Sequence, residues 1–132
     1  MSLRLDGFLG LPESKPTVEE LIAWIKGNPG RPVTQNGRTT GKIYWHPFFG
    51  KIYVTYRTHR HLYKKWGSIG ISRDVVIKLI EDGVENVIVI FTDTKEGYIA
   101  PPRKFLDTGK TLWFDKEAES QLHLPLTLME KL

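Results

Sequence analysis

The stretch KIYWHPFFGKIYVTYR, residues 42–57, decides the fold that the sequence predicts. Residues 42–46 and 51–57 are rich in β-branched and aromatic side chains, and the PFFG segment between them predicts a turn. Together they predict a β-hairpin. Because side chains alternate across a strand, one face of the hairpin is expected to enter the core. The side chains predicted on that face are Ile43, Trp45, Ile52, Val54 and Tyr56.

The opposite face of the hairpin is expected to be exposed and to mix cations with tyrosines. It would present Lys42, Tyr44, His46, Lys51, Tyr53, Thr55 and Arg57. Such a surface suits single-stranded nucleic acid, because Lys and Arg neutralise phosphates and flat rings stack on unpaired bases. An alternative explanation is that strands favour Tyr and Thr in any protein, while Lys and Arg keep the outer face solvated. The hairpin alone leaves both explanations open.

The hairpin lies within a longer stretch, residues 21–73, that contains no Asp and no Glu. This stretch holds ten Lys or Arg, nine aromatic residues and three of the four histidines. The rest of the chain has nine Lys or Arg against fifteen acids, a charge of −6 within a chain of net charge +4. A charge split of this kind predicts a polyanionic partner. We interpret that partner as nucleic acid, either DNA or RNA.

Two further segments would extend the basic surface. Residues 59–66, HRHLYKKW, carry only positive charge, whereas a solvated surface normally mixes both signs. Residues 31–41, RPVTQNGRTTG, predict a loop with a tight turn at Asn36-Gly37. From these segments the predicted nucleic-acid-binding residues are Arg31, Arg38, His59, Arg60, His61, Lys64 and Lys65.

The flanking sequence predicts two helices and a buried strand. Thr17 and Glu20 predict a capping box, followed by apolar residues at helical spacing and by Gly27 as the end of the helix. Ser72 is predicted to begin a second helix, and the apolar run 87–91 predicts a strand buried on both faces. We therefore expect a single α+β domain over residues 1–132, with an irregular lead-in at 1–16. Its sheet would be mixed, mostly antiparallel and of about five strands, with two main helices packed on one face.

Composition narrows the class of protein. The chain has no cysteine, which excludes disulfides, zinc fingers of the cysteine type and a thiol nucleophile. No apolar run approaches ~18 residues, so no membrane partner is expected. The N-terminus is too short and interrupted for a signal peptide, so a cytoplasmic protein is expected. The sequence leaves homo-oligomerisation open and predicts no cofactor.

A catalytic alternative depends on carboxylates near Asp93. Asp93-x-Lys95 after the buried strand, with Asp82, has the outline of a nuclease site that holds Mg²⁺ or Mn²⁺. Asp74 is the better second carboxylate, because the start of its helix and the end of the strand are expected at the same edge of the sheet.

From the sequence as a whole, we predict a non-catalytic nucleic-acid-binding protein. The alternatives are this metal-dependent nuclease and a protein-interaction or small structural module.

Overall fold

The strands of the protein form two sheets, and the larger sheet carries the candidate site. The computed structural model describes residues 15–58, 67–108, 110–114 and 119–132. Its strands are β1 (Arg31–Gln35), β2 (Arg38–His46), β3 (Gly50–Arg57), β4 (Ser68–Ser72), β5 (Asn86–Phe91), β6 (Glu96–Ala100), β7 (Lys110–Phe114), β8 (Glu119–Pro125) and β9 (Glu130–Lys131). Its helices are α1 (Val18–Lys26), α2 (Arg73–Glu81) and α3 (Pro102–Thr108), with a 3₁₀ turn at Leu126–Leu128.

The larger sheet has six strands in the order β1-β2-β3-β5-β6-β9, and β4, β8 and β7 form a separate three-stranded sheet. Neighbouring strands of the larger sheet are antiparallel, except for β3 and β5, which are parallel. Parallel neighbours need a crossover connection, and here the chain passes through β4 and α2 before it returns as β5. The predicted α+β fold with a mixed, mostly antiparallel sheet is thus confirmed.

Both faces of the larger sheet are buried, each by its own apolar core. Successive residues of β5 alternate between the cores, with Val87, Val89 and Phe91 on the side of α2 and Ile88 and Ile90 on the side of α1. The α2-side core also takes in side chains of α3 and of the smaller sheet. The prediction that residues 87–91 form a strand buried on both faces is confirmed.

The two main helices lie on opposite faces of the larger sheet, so the prediction that both pack on one face is wrong. α1 buries Val18 and Leu21 in the α1-side core, and α2 buries Val75, Val76 and Leu79 in the α2-side core. Each helix has one apolar stripe. Such a stripe shows that a helix is buried but not which face of a sheet it covers.

Residues 31–41 form β1 and the start of β2, and the predicted loop is wrong. The two strands join through Asn36-Gly37, where both φ angles are positive, 52° and 76°. A type I′ hairpin turn requires positive φ at both positions, so the predicted tight turn is confirmed. β1 is an edge strand with exposed or half-buried residues and a bulge between Val33 and Thr34. It therefore lacks the apolar alternation that would have identified it.

The predicted start of α1 is confirmed in detail. The backbone N–H of Glu20 donates to Thr17 Oγ1 at 3.1 Å, and the N–H of Thr17 donates to Glu20 Oε1 at 2.8 Å, which completes the capping box. Ser72 precedes α2 as predicted, but its hydroxyl accepts a hydrogen bond from the Gln35 side chain at 2.7 Å instead of capping the helix. None of the helices in the described ranges has the length and apolarity needed to cross a membrane.

Candidate functional site

Strands β2 and β3 pair along only part of their length, and the pairing stops before one end of the sheet. Their register runs from Lys42 opposite Val54 to His46 opposite Gly50. Residues 38–41 of β2 and 55–57 of β3 do not pair with each other. We call the surface formed by these two strand ends the notch. β1 and β5 hold the outer sides of its walls, because they pair with β2 and β3 respectively.

Side chains tie the two walls of the notch together. The Tyr53 hydroxyl donates to Thr40 Oγ1 at 2.9 Å, and the Thr40 hydroxyl donates to the Val33 carbonyl at 3.1 Å. The Thr55 hydroxyl donates to the Thr40 carbonyl at 3.0 Å and accepts a hydrogen bond from the Arg57 guanidinium at 2.7 Å. These bonds satisfy the hydroxyls on the walls and fix the shape of the notch.

A concavity opens from the notch on each face of the larger sheet. The α1-side concavity has a volume of about 740 Å³ and lies between the end of α1 and the start of β2. The α2-side concavity has a volume of about 430 Å³ and is lined by the end of β3, β4 and the start of α2. Thr39, Thr40 and Tyr56 line both concavities, so the two adjoin at the notch.

The side chains around the notch are positively charged. Lys26 and Lys42 line the α1-side concavity, and Arg38 and Arg57 line the α2-side concavity. Among the residues that the structure describes, no Asp or Glu lines either concavity, and none of the four cations forms an ion pair. The notch is therefore a concave, basic surface.

Arg57 is held in place by uncharged groups. Besides its bond to Thr55, its guanidinium donates to the carbonyls of Tyr56 and Gly70, both at 3.2 Å. The bond to Gly70 joins the end of β3 to β4 and fixes the side chain along the α2-side concavity. Carbonyl and hydroxyl oxygens orient the guanidinium without neutralising its charge.

Tyr56 is an exposed aromatic side chain at the meeting point of the concavities. It is 45% exposed, and burial of its remaining surface raises the pKa of its hydroxyl, with a smaller contribution from Tyr44. The ring is therefore neutral at physiological pH. A partly exposed neutral ring among cations is suited to stacking on a base.

The prediction that one face of the hairpin is exposed and carries both Tyr44 and Tyr53 is wrong. Tyr44 packs in the α1-side core and Tyr53 in the α2-side core, so the two tyrosines lie on opposite faces of the sheet. They are only 5% and 1% exposed, whereas Trp45, predicted in the core, is 72% exposed. Both faces of this hairpin pack against a core, so apolar residues occur on both faces and the sequence does not show the alternation of a strand with one exposed face.

His46, also predicted to bind nucleic acid, is buried and supports the turn after β2. Its Nδ1 accepts hydrogen bonds from the backbone N–H groups of Phe48 at 3.0 Å and Phe49 at 3.2 Å. Its ring lies edge-on to Trp24, with 4.6 Å between the ring centroids. Burial lowers the pKa of His46. The side chain therefore acts as a neutral structural group.

Two other predicted cations, Arg31 and Lys51, share an ion pair with the carboxylate of Asp82. Arg31 forms an ion pair with the Asp82 carboxylate, and Lys51 Nζ lies 3.3 Å from Asp82 Oδ1 and 2.5 Å from the Asp82 carbonyl oxygen. Partial desolvation raises the pKa of Asp82, but the hydrogen bonds and charges of Arg31 and Lys51 lower it more, so the pKa lies below its usual value. Lys51 is the second residue of β3, at the opposite end of that strand from the notch.

The notch combines predicted and unpredicted residues. The structure brings together Arg38, Lys42 and Arg57 from the predicted set, and it adds Lys26 and Tyr56. Lys26 belongs to the acid-free stretch, which is the sequence signal that could have included it. No sequence signal identified Tyr56, because it follows the alternation of the core residues. The predicted residues His59, Arg60, His61, Lys64 and Lys65 lie outside the described ranges.

The residues of the nuclease alternative occupy separate elements. Asp74 lies in the first turn of α2, whereas Asp93 and Lys95 lie in the turn between β5 and β6. There Asp93 Oδ1 accepts a hydrogen bond from the N–H of Thr94 at 3.0 Å. The concavity beside Asp74 does not include Asp93. Within the described part of the chain, no group of three or more His, Asp or Glu is placed to hold a metal ion.

We compared the chain with models of protein families, with curated proteins and with solved structures, and none of the three comparisons gave a significant match.

Proposed function

We propose that the protein binds nucleic acid at the notch and does not catalyse a reaction on it. The observation that carries the proposal is that Lys26, Arg38, Lys42 and Arg57 line two adjoining concavities without a carboxylate among the described lining residues. Phosphodiester backbones supply the complementary charge, and proteins that bind them cluster Lys and Arg.

The distribution of ion pairs supports the same conclusion. Where this chain uses cations for structure, as with Arg31 and Lys51, it supplies a carboxylate for them in Asp82. The cations of the notch have no such partner among the described residues, although unpaired like charges repel one another. A bound polyanion would remove that repulsion.

Salt dependence of binding tests the proposal. The logarithm of the association constant for an oligonucleotide should fall linearly with the logarithm of salt concentration, by about 0.7 to 0.9 for each phosphate contacted. The double variant Arg38→Gln/Lys42→Gln should bind more weakly and reduce this slope by roughly 1.4 to 1.8. Fluorescence anisotropy with a labelled oligonucleotide at several salt concentrations measures both quantities.

The matched control is Lys78→Gln/Arg103→Gln, which removes two exposed cations outside the notch and should leave the slope unchanged. Equal slopes in the two double variants would contradict binding at the notch. Absence of binding to any oligonucleotide would favour the protein-interaction alternative.

We expect DNA and RNA to remain intact when they are incubated with the protein and Mg²⁺ or Mn²⁺. Cleavage that is lost in Asp93→Ala while binding persists would instead establish the nuclease alternative.

A further inference from the structure

We propose that the notch takes a single strand of nucleic acid, which crosses the end of the larger sheet from the α1-side concavity to the α2-side concavity. This inference rests on the proposed function and names its substrate class. It follows from three features of the notch: the two faces on which its cations lie, the volumes of its concavities, and the position of Tyr56.

The cations of the notch lie on both faces of the sheet. Along β3, Val54 belongs to the α1-side core and Tyr53 to the α2-side core, so the concavities that these residues line open on opposite faces. Lys42 lines the first concavity and Arg38 the second. A ligand that reaches both cations must therefore bend around the end of the sheet.

The sharpness of that bend selects the type of nucleic acid. Duplex DNA has a persistence length of about 150 base pairs, and smooth bends of 40–90° over 20–30 base pairs already cost about 1–6 kcal/mol. A duplex therefore cannot follow a turn over the edge of a single sheet. A single strand rotates freely about its backbone bonds and can follow such a turn.

The volumes of the concavities suit single nucleotides. The values of about 740 Å³ and 430 Å³ fall within the range of roughly 300 to 1,000 Å³ of sites that hold small molecules, so each can receive a nucleotide.

Tyr56 lies where the strand would cross. Residue Tyr56 lines both concavities and its side chain is partly exposed, and a base leaving one concavity for the other would stack on its ring. Stacking requires an unpaired base, because the faces of a base inside a duplex are covered by its neighbours. A stacking ring between two phosphate-binding cations is the arrangement that single-strand-binding surfaces use.

Substitution of Tyr56 tests the stacking. Loss of one base stack lowers affinity by about 1–3 kcal/mol, so Tyr56→Ala should weaken single-strand binding by roughly 5-fold to 140-fold. Tyr56→Phe keeps the ring and should bind as the unchanged protein does. Trp45→Ala is the matched control, since it removes an exposed aromatic side chain at the opposite end of the hairpin. Equal affinities for the Tyr56→Ala variant and the unchanged protein would overturn the stacking role.

Two single variants test the crossing. Lys42→Gln and Arg38→Gln should each lower the salt slope for a single-stranded oligonucleotide by about 0.7. If only one of them lowers the slope, the strand stays on one face and the crossing is wrong. Duplex of the same sequence should bind more weakly than the single strand. Duplex binding as tight as single-strand binding would refute the substrate class while the proposed function stands, and absence of binding to both would refute the proposed function itself.

Discussion

The turn between β2 and β3 depends on the protonation state of His46. A protonated imidazole has no acceptor at Nδ1, so protonation would break the hydrogen bonds from Phe48 and Phe49. Burial accordingly lowers the pKa of His46 below its ordinary value of 6.5. Below about pH 6.5 the unfolded chain binds a proton that the folded chain excludes. Stability from this group is therefore complete above that pH and is lost as the pH falls toward the lowered pKa of the folded protein.

We expect the free energy of unfolding to decrease between about pH 7.5 and about pH 5, and to decrease less in the His46→Asn variant. The amide oxygen of Asn can accept a hydrogen bond in place of Nδ1 but does not titrate. Urea denaturation at the two pH values measures the difference. Burial also lowers the pKa of His123, which contributes equally in both proteins, so the comparison isolates His46. The same pH dependence in both proteins would show that His46 does not titrate as inferred.

Among the strands, β2 is unpaired with β3 from Gly41 towards its start. A Cβ atom there would lie 2.6 Å from the Val54 carbonyl oxygen and 2.7 Å from Cζ of Tyr53. Both neighbours are buried and cannot move away without disturbing a core. The approach of β2 to the ring of Tyr53 therefore requires glycine, and the notch begins at this contact.

We expect Gly41→Ala to lower the free energy of unfolding by about 1–3 kcal/mol, as overpacking of a buried site does. Gly27→Ala is the control, because the nearest atom to its added Cβ is the Trp24 carbonyl oxygen at 3.8 Å, and a change within about 0.5 kcal/mol is expected. Urea denaturation of both variants provides the values. Equal stabilities would mean that β2 does not approach Tyr53 as described.

The elements differ in how far the sequence predicted them. α1, α2 and β5 have strong local signals in their caps, apolar periodicity and apolar run, and all three were predicted. β1 has no such signal, because an edge strand with exposed faces reads as a polar loop. The exposed face of the β2–β3 hairpin was predicted wrongly, since α1 and α2 cover opposite faces. That arrangement depends on contacts between residues far apart in the sequence.

The candidate site was likewise predicted only in part, because it also depends on contacts between residues far apart in the sequence. The acid-free stretch predicted a basic surface, and Arg38, Lys42 and Arg57 do lie together at the notch. The sequence could not show that Asp82 pairs with Arg31 and Lys51, because Asp82 lies outside that stretch and reaches both cations only in the folded chain. Charge composition therefore predicted a basic surface, and tertiary structure decided which of its described cations have no carboxylate partner.

At the scale of the whole molecule, β5 belongs to both cores, and this should make unfolding cooperative. Leu21→Ala in the α1-side core and Leu79→Ala in the α2-side core should each lower the free energy of unfolding by about 2–5 kcal/mol. Each variant should still unfold in one transition, with coincident tryptophan fluorescence and far-ultraviolet circular dichroism. Separate transitions in either variant would show that the cores fold independently.

The parallel pairing of β3 with β5 also has a consequence for chain entropy. The larger sheet consists mainly of strands joined locally, β1-β2-β3 on one side and β5-β6 on the other, and β3 and β5 join these groups across a long sequence separation. Loop-closure entropy rises with the length of chain enclosed. The pairing of β3 with β5 therefore closes a long loop, whereas the hairpins beside it close over short turns.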